Sequence, residues 1–189
     1  MTKIKLIAIS FLSLILVDDS SFIKRQITVQ GTVEDVLKVM TNQNMDDLKS
    51  WHSGCEKICL INKLSDSEGI YLWLYERPSF LLLKILLLGR VCLDKSESKA
   101  IITITPYKVS LEKINSCIGA QPYRQAEDFL IKWTISPDGD GKCIIEHSNY
   151  MRVGYPSVLE ALGAESKTSR IEGSLKKLKS KIEIAKKSE

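Results

Sequence analysis

Side chains that could carry out chemistry are few in this sequence and lie far apart. Five cysteines are present, an odd number that leaves at least one unpaired: Cys55, Cys59, Cys92, Cys117 and Cys143. Three residues separate Cys55 from Cys59, which is not a usual zinc spacing, and no second pair would complete four ligands. His52 and His147 are each isolated from other metal-ligating residues. We therefore expect neither a metal site nor a cofactor.

Sequence motifs for catalysis do not occur either. The phosphate-binding loops G-x-G-x-x-G and G-x-x-x-x-G-K-[ST] are missing, and so is the nucleophile elbow G-x-S-x-G. Glu146 and His147 are adjacent, so on a strand they would point to opposite faces and could not act together on one ligand. The sequence thus predicts a protein that is not an enzyme.

One charged and several aromatic side chains are candidates for binding an apolar ligand. Arg90 lies in an apolar segment, and a buried guanidinium is costly unless it is paired. It either anchors a polar group of a ligand, or points to solvent or pairs with an acid such as Glu146. Tyr71, Trp73 and Tyr75 alternate along one face of a predicted strand, where they either pack in the core or line a cavity.

Further candidates lie on the last three predicted elements. Trp133 is on an alternating strand and is either a core or a cavity residue. Tyr150 and Tyr155, near the start of the last helix, would offer hydroxyl groups to a cavity, and Leu159 belongs to the apolar side of that helix. The candidate ligand-binding residues are therefore Tyr71, Trp73, Tyr75, Arg90, Trp133, Tyr150, Tyr155 and Leu159.

The elements that must position these residues follow from hydrophobic periodicity. Alternation predicts strands over residues 22–30, 55–64, 69–76, 80–93, 99–109, 127–136 and 142–153. Thr32 and Asp35 form a capping-box pair that begins a helix, and residues 46–51 form a short helix or turn. Residues 110–126 are predicted to be a loop. From 156 to 187 the pattern is that of one long amphipathic helix, which would cover a curved antiparallel sheet.

The N-terminal 21 residues have two interpretations. A short basic start precedes the apolar run Leu6–Val17, as in a secretory signal, and this run is too short to span a bilayer. The same residues would also suit a buried first strand. Under the first interpretation the protein is exported or periplasmic, and under the second it is cytoplasmic.

Composition and charge limit the function classes further. Of the 189 residues, 44% are hydrophobic and 26% charged, which excludes a disordered chain and indicates one globular domain. The net charge of +4 is too mild to indicate a nucleic-acid partner. Residues 166–189 hold eight basic and three acidic side chains, a local charge of +5. This segment is either a solvated helix face or a surface that contacts anionic lipid headgroups transiently.

The order of elements and several local motifs resemble the START (steroidogenic-acute-regulatory-protein-related lipid transfer) domains, most closely the short single-domain bacterial type. Similar features are the helix before Trp51, Pro78 after the aromatic strand, and the Trp133-x-Ile-x-Pro strand before a hairpin. The family's Arg-Asp pair is matched by Arg90, with Val91 in place of the acid, and its Gly-Gly-x-Pro helix entry by residues 153–156.

The resemblance implies an α+β helix-grip fold over residues 22–187, in which a curved antiparallel sheet wraps around a long C-terminal helix. It also implies binding of a lipid or other hydrophobic molecule in a cavity between sheet and helix, with transfer of that ligand as a second expectation. The alternative is an enzyme of the polyketide cyclase/aromatase type, which belongs to the same helix-grip superfamily.

Overall fold

The computed structural model describes residues 22–76, 83–154 and 157–187, and of residues 157–165 and 187 it describes the backbone alone. Residues 1–21, where a leader or a first strand is predicted, lie outside these ranges. The elements, in chain order, are β1 (Ile23–Gln30), α1 (Val33–Met40), α2 (Met45–Trp51), β2 (Cys55–Lys63), β3 (Glu68–Tyr75), β4 (Lys84–Lys95), β5 (Ala100–Pro106), α3 (Leu111–Ile118), β6 (Tyr123–Gln125), β7 (Asp128–Pro137), β8 (Lys142–Arg152) and α4 (Ser157–Lys187).

The strands form one curved sheet. Its order is β1-β8-β7-β5-β4-β3-β2 with antiparallel neighbours, and β6 pairs in parallel with the first residues of β4. The long helix α4 contacts β1, α1 and α2 on the concave side. The predicted α+β class, with an antiparallel sheet and one long C-terminal helix, is confirmed. Within the described ranges, no helix is both long and apolar enough to cross a bilayer.

Helix α1 begins as the sequence predicts. The backbone N–H of Asp35 donates to Thr32 Oγ1 at 3.2 Å, and the backbone N–H of Thr32 donates to Asp35 Oδ2 at 2.7 Å. These bonds supply partners to two backbone groups that would otherwise lack them at the helix start. The bond from Thr32 N–H also holds the pKa of Asp35 below its ordinary value. The capping box thus sets where the chain turns from β1 into the first helix that covers the sheet.

Both faces of the sheet are apolar, and each is covered. The concave face packs against α1, α2 and α4 in the larger core cluster. A second cluster on the outer face joins the sheet to α3, with residues Ile70, Leu72, Leu74, Leu86, Leu88, Ile114 and Ile118. The prediction of a loop over 110–126 was therefore wrong. Ser110 caps a helix whose Ile114 and Ile118 cover the outer face of β3 and β4.

The C-terminal half of α4 buries an apolar stripe at the spacing that the sequence predicts. Ile171, Leu175, Leu178 and Ile182 are all buried, with Leu178 wholly inaccessible to solvent. Successive members are three or four residues apart, so they lie on one face of the helix. All four residues belong to the core cluster on the concave side of the sheet.

Polar contacts fix where α4 lies along the sheet. A side chain at Gly173 would place its Cβ 2.8 Å from Ser53 Oγ, so the helix approaches the α2–β2 loop closely. Next to it, the backbone N–H of Ser53 donates to Ser174 Oγ at 2.9 Å. About two turns further along α4, Lys181 Nζ lies 2.9 Å from Asp47 Oδ1, which ties α4 to α2. The lysine lowers the pKa of Asp47.

Truncating the apolar stripe of α4 tests its importance for stability. We expect Leu178→Ala to lower the free energy of unfolding by about 2–5 kcal/mol, because a fully buried leucine leaves a cavity when it is shortened. Urea unfolding followed by circular dichroism measures the change. The matched control is Lys177→Ala at the adjacent exposed position, for which we expect a change within about 0.5 kcal/mol. Equal effects of the two substitutions would contradict the described packing of α4.

Candidate functional site

A cavity of about 120 Å³ lies between the concave face of the sheet and the α1–α2 region. We call it the α2 cavity. Its interior wall is apolar and aromatic, and is formed by Met40, Met45, Leu48, Trp51, Leu60, Tyr71, Trp73, Val91, Leu93, Ile102, Ile104 and Trp133. The cavity is open to solvent on one side, beside the turn between β2 and β3. Its volume resembles that of an engineered apolar cavity that stays dry and binds benzene.

The inner end of the α2 cavity is held by a cluster of stacked rings. Trp51, the last residue of α2, meets Trp133 of β7 edge to face, with ring centroids 5.7 Å apart. Trp133 contacts the ring of its cross-strand partner His147 at 4.2 Å, and His52 stacks on Trp51 at 3.9 Å. Because Trp51 and Trp133 are both buried, this cluster gives the inner end rigid walls.

The side wall is built by the aromatic stripe of β3. Tyr71 and Trp73 stack with centroids 5.7 Å apart, because alternate residues of a strand share one face. A Cβ added to Gly69 would lie 2.8 Å from the ring of Tyr71, so the tyrosine ring occupies the space above that glycine. Burial raises the pKa of the Tyr71 phenol, which is neutral at physiological pH. The stripe thus presents ring surface with one hydroxyl to the cavity.

The open side of the α2 cavity has a polar rim. Residues 64–67 form the turn, and Lys63 Nζ lies 2.7 Å from Asp66 Oδ1 across it. Leu60 and Leu64 are large apolar side chains exposed at this end of the molecule, at 38% and 46%. An entrance with apolar side chains beside paired charges suits a ligand that is itself mostly apolar.

The interior is uncharged at neutral pH. Burial lowers the pKa of His147 to about 4 and that of His52 to about 3, so both imidazoles are neutral. In the part of the chain whose side chains are described, the buried polar side chains are His147, Ser148, Asn149 and Ser174. None of them carries a carboxylate, an ammonium or a guanidinium group. The cavity region therefore offers apolar contact and neutral hydrogen bonding.

Three of the predicted site residues come together. Tyr71, Trp73 and Trp133 all line the α2 cavity. Trp51, which the sequence analysis did not select, also lines it and contacts the ring of Trp133. Tyr75 shares the face of Tyr71 and Trp73 but lies at the other end of β3, beneath the guanidinium of Arg170 at 5.9 Å. Burial raises the pKa of its phenol. Tyr75 thus packs under α4 rather than in the cavity wall.

Two predicted site residues lie away from this cavity. Arg90 is half exposed and forms an ion pair with Glu68 across β3 and β4, not with Glu146. Tyr150 stacks on Phe22 at 6.2 Å on the opposite face of β8 from His147. Neither therefore reaches the α2 cavity. Tyr155 and the side chain of Leu159 lie outside the described residues.

In the part of α4 whose side chains are described, no residue lines the α2 cavity, because the buried stripe of that helix packs directly on the core. The predicted space between the sheet and the C-terminal helix stays a prediction, since residues 155 and 156 and the side chains of residues 157–165 lie outside the described residues. The sequence analysis did not select His52, which lines the cavity, or the buried polar residues His147 and Asn149 as ligand-binding residues. For the two β8 residues a signal exists, since they alternate with Ile145 and therefore share its inward face.

Neither a metal centre nor a disulfide is built from the described residues. No cluster of three or more histidine, cysteine or acidic side chains occurs among them. All five cysteines are free thiols, and Cys143 is buried in the concave core. Burial raises the pKa of Cys55 to about 12 and that of Cys59 to about 11, so both thiols are protonated at neutral pH. Protonated thiols are weak nucleophiles.

Comparisons of sequence yield no relative: no protein-family model matches the chain, and no curated protein does. Comparisons of structure find proteins of similar fold. Human StAR-related lipid transfer protein 5 superposes with a TM-score of 0.69 at 13% identity, over 86% of this chain and 76% of that protein. A STAR-related lipid transfer protein fragment from Xanthomonas axonopodis gives 0.66 at 14% identity, over 86% and 85%.

An enzyme shares the same architecture. The Zhui aromatase/cyclase from Streptomyces sp. R1128 superposes with a TM-score of 0.59 at 9% identity, over 87% of this chain and 94% of that enzyme. Identities this low relate these proteins by fold and not by activity. In all three comparisons most of the described chain is aligned. This protein has the START-like helix-grip fold, a fold used both by lipid transfer proteins and by aromatase/cyclases.

Proposed function

We propose that the protein binds a lipid or another hydrophobic molecule, with the α2 cavity as part of its binding site, and that it transfers this ligand. The observation that carries the proposal is the open, apolar and aromatic cavity on the concave face of the sheet. Burial of each methylene group of a ligand there would contribute about 0.8 kcal/mol. The lipid transfer proteins that share the fold support the same conclusion.

Binding is favoured over the cyclase/aromatase alternative by the placement of the titratable side chains. The charged groups of the cavity lie at its rim, where Lys63 pairs with Asp66, and Glu68 pairs with Arg90. Charges held in such pairs at an exposed rim are poorly placed to act on a substrate deep in the cavity. Of the described lining residues, only His52 and Tyr71 are titratable groups in the interior.

We further propose that α4 brings the protein to anionic membrane surfaces, where an apolar ligand would be collected or released. Lys176, Lys177, Lys179 and Lys186 are exposed along the helix, outside the buried apolar stripe. An anionic leaflet attracts each such lysine by about 1 kcal/mol within a Debye length.

Mass spectrometry of the purified protein tests ligand binding. We expect a co-purifying apolar molecule in native spectra, released on denaturation and identified after lipid extraction. Ile102→Phe should lower its occupancy several-fold, since the larger ring fills the α2 cavity. The matched control is Ile101→Phe, whose side chain lies on the outer face of the same strand and should leave occupancy unchanged. Absence of any bound molecule, together with no stabilisation by added lipids, would contradict the proposal.

Vesicle sedimentation tests the membrane contact. We expect binding to vesicles of phosphatidylserine and phosphatidylcholine, weakening as salt is added, and little binding to pure phosphatidylcholine. The double variant Lys176→Glu/Lys177→Glu should lower the partition coefficient about tenfold or more. The control, Lys108→Glu/Lys113→Glu, changes the net charge equally at exposed positions remote from α4 and should have a smaller effect. Equal losses in the two variants would show that net charge, not α4, is responsible.

Acidification tests the uncharged interior. The pKa of His147 in the folded protein is about 4, below the ordinary value of about 6.5, so the unfolded chain binds more protons between these limits. The contribution of His147 to the free energy of unfolding is therefore fully present above pH 6.5. As the pH falls from 6.5 toward 4, it declines by about 1.4 kcal/mol per pH unit. Urea unfolding at pH 7, 6 and 5 should show a smaller decline for His147→Phe than for the unaltered protein. Identical pH dependence of the two proteins would refute burial of a neutral His147.

A further inference from the structure

Two of the five cysteines lie next to each other on the outer face of the sheet, although they are 58 positions apart in the sequence. Cys59 is in β2 and Cys117 is in α3. The thiol of Cys59 lies 3.8 Å from the backbone carbonyl oxygen of Cys117, and the two thiol groups interact with each other directly. We call these two residues the outer cysteine pair. Thiols that meet between separate elements are candidates for a disulfide bond.

The fold itself holds the outer cysteine pair in this arrangement. Cys59 is the cross-strand partner of Leu72, which is buried on the outer face, so the Cys59 side chain lies on the same face. Cys117 lies three residues after Ile114 and directly before Ile118, the two residues by which α3 packs on the sheet. Positions three apart share one face of a helix, so Cys117 is directed toward the sheet. The thiols are therefore close together without a bond between them, which lowers the entropic cost of joining them.

The other three cysteines are placed differently. Cys55 and Cys143 belong to the core cluster on the concave side, across the sheet from the outer cysteine pair. Cys92 is on β4, which is separated from β2 by the strand β3. Cys143 is buried, whereas both members of the outer cysteine pair are partly accessible to solvent, as reaction with an incoming oxidant requires.

We propose that the outer cysteine pair is a site of reversible modification, at which a small oxidised thiol such as glutathione disulfide joins β2 to α3 through a disulfide bond. One protein thiolate attacks a sulfur of glutathione disulfide, which forms a mixed disulfide and releases one glutathione thiolate. The second protein thiolate attacks the protein sulfur of that mixed disulfide and releases the second glutathione thiolate. Two protein thiols are oxidised, one glutathione disulfide is reduced, and the two protons lost by the protein are taken up by the two released thiolates.

The bond would tie the helix that covers the outer face to an edge strand of the sheet. It would close the segment 59–117, which contains β3, β4 and β5, and a crosslink over a segment of this length restricts the unfolded chain. Reducing thiols reverse the reaction, so the bond is expected in an oxidising compartment and the free thiols in a reducing one. Neither cysteine lines the α2 cavity, so the modification does not depend on ligand binding there.

Oxidation of the reduced, full-length protein by glutathione disulfide tests the site. The reaction is run at about pH 8.5, because burial and the neighbouring Cys117 thiol raise the pKa of Cys59 to about 11, which slows exchange at neutral pH. The protein is then alkylated with N-ethylmaleimide under denaturing conditions and digested with trypsin. We expect three alkylated cysteines instead of five, and one crosslink between peptides 58–63 and 114–124, each of which contains a single cysteine. The melting temperature should rise by roughly 5–15 °C and return to its original value with dithiothreitol.

Single substitutions identify the two thiols. Cys59→Ser and Cys117→Ser should each abolish the crosslinked peptides and the rise in melting temperature, and should leave the remaining thiol as a mixed disulfide with glutathione. The matched control is Cys92→Ser, at a half-buried cysteine of β4, which should keep both the crosslink and the rise. The peptide map of the unaltered protein decides the outcome even where a variant does not fold.

Three results would overturn the proposal. Five alkylated cysteines after exposure to glutathione disulfide would show that the outer cysteine pair does not react. Glutathione attached to both Cys59 and Cys117 without a crosslink would show that the two sulfurs cannot approach to bonding distance. A crosslink between other cysteines, or the Cys59–Cys117 crosslink in equal yield when the protein is unfolded in urea, would show that the fold does not bring these thiols together.

Discussion

One helix cannot cover the concave face of this sheet, and the rest of the architecture follows from that mismatch. Seven strands spaced by about 4.8 Å make a sheet about 29 Å wide, whereas a helix with its side chains is only about 10–12 Å across. Helix α4 packs near β1, and the short helices α1 and α2 extend the cover toward β2. Among the described residues, these three helices leave a space over β3–β5, which is the α2 cavity. The cavity thus results from the layout of elements and not from the loss of one side chain.

Electrostatics divides the molecule into a charged exterior and a neutral interior. Ion pairs hold elements together at the surface, as Arg25 does with Glu172 of α4, and Lys181 of α4 does with Asp47 of α2. Each of these four side chains is about one-third to one-half exposed, so its charge keeps part of its hydration. The polar groups left inside are neutral imidazole, indole, amide and hydroxyl groups. An interior of this kind selects against ions by their cost of desolvation, without a specific contact to exclude them.

The sequence predicted the fold further than it predicted the site. Alternation located the main strands, and the capping pair of Thr32 and Asp35 located the start of α1, because both signals are local. Helix α3 was missed, since its eight residues lie between turn-forming residues and its two buried isoleucines have meaning only once β3 and β4 are placed above them. Arg90 was selected because its segment is apolar, yet its strand position directs it outward to Glu68. The apolar composition of the segment did not show to which face of the strand Arg90 points.

On the concave face of the sheet, polar residues at inward positions carry different information from aromatic ones. Tyr71, Trp73 and Trp133 are residue types that also occur in filled cores, so their types alone cannot distinguish core packing from ligand contact. His147 and Asn149 are different, because placing a polar atom without a partner beside Ile145 costs stability that leucine or phenylalanine at the same positions would not. Two such residues lie on successive inward positions of β8, and Trp51 of α2 adds a third unpartnered polar atom. Buried polar residues therefore distinguish the inward positions of β8 from those of a purely apolar core.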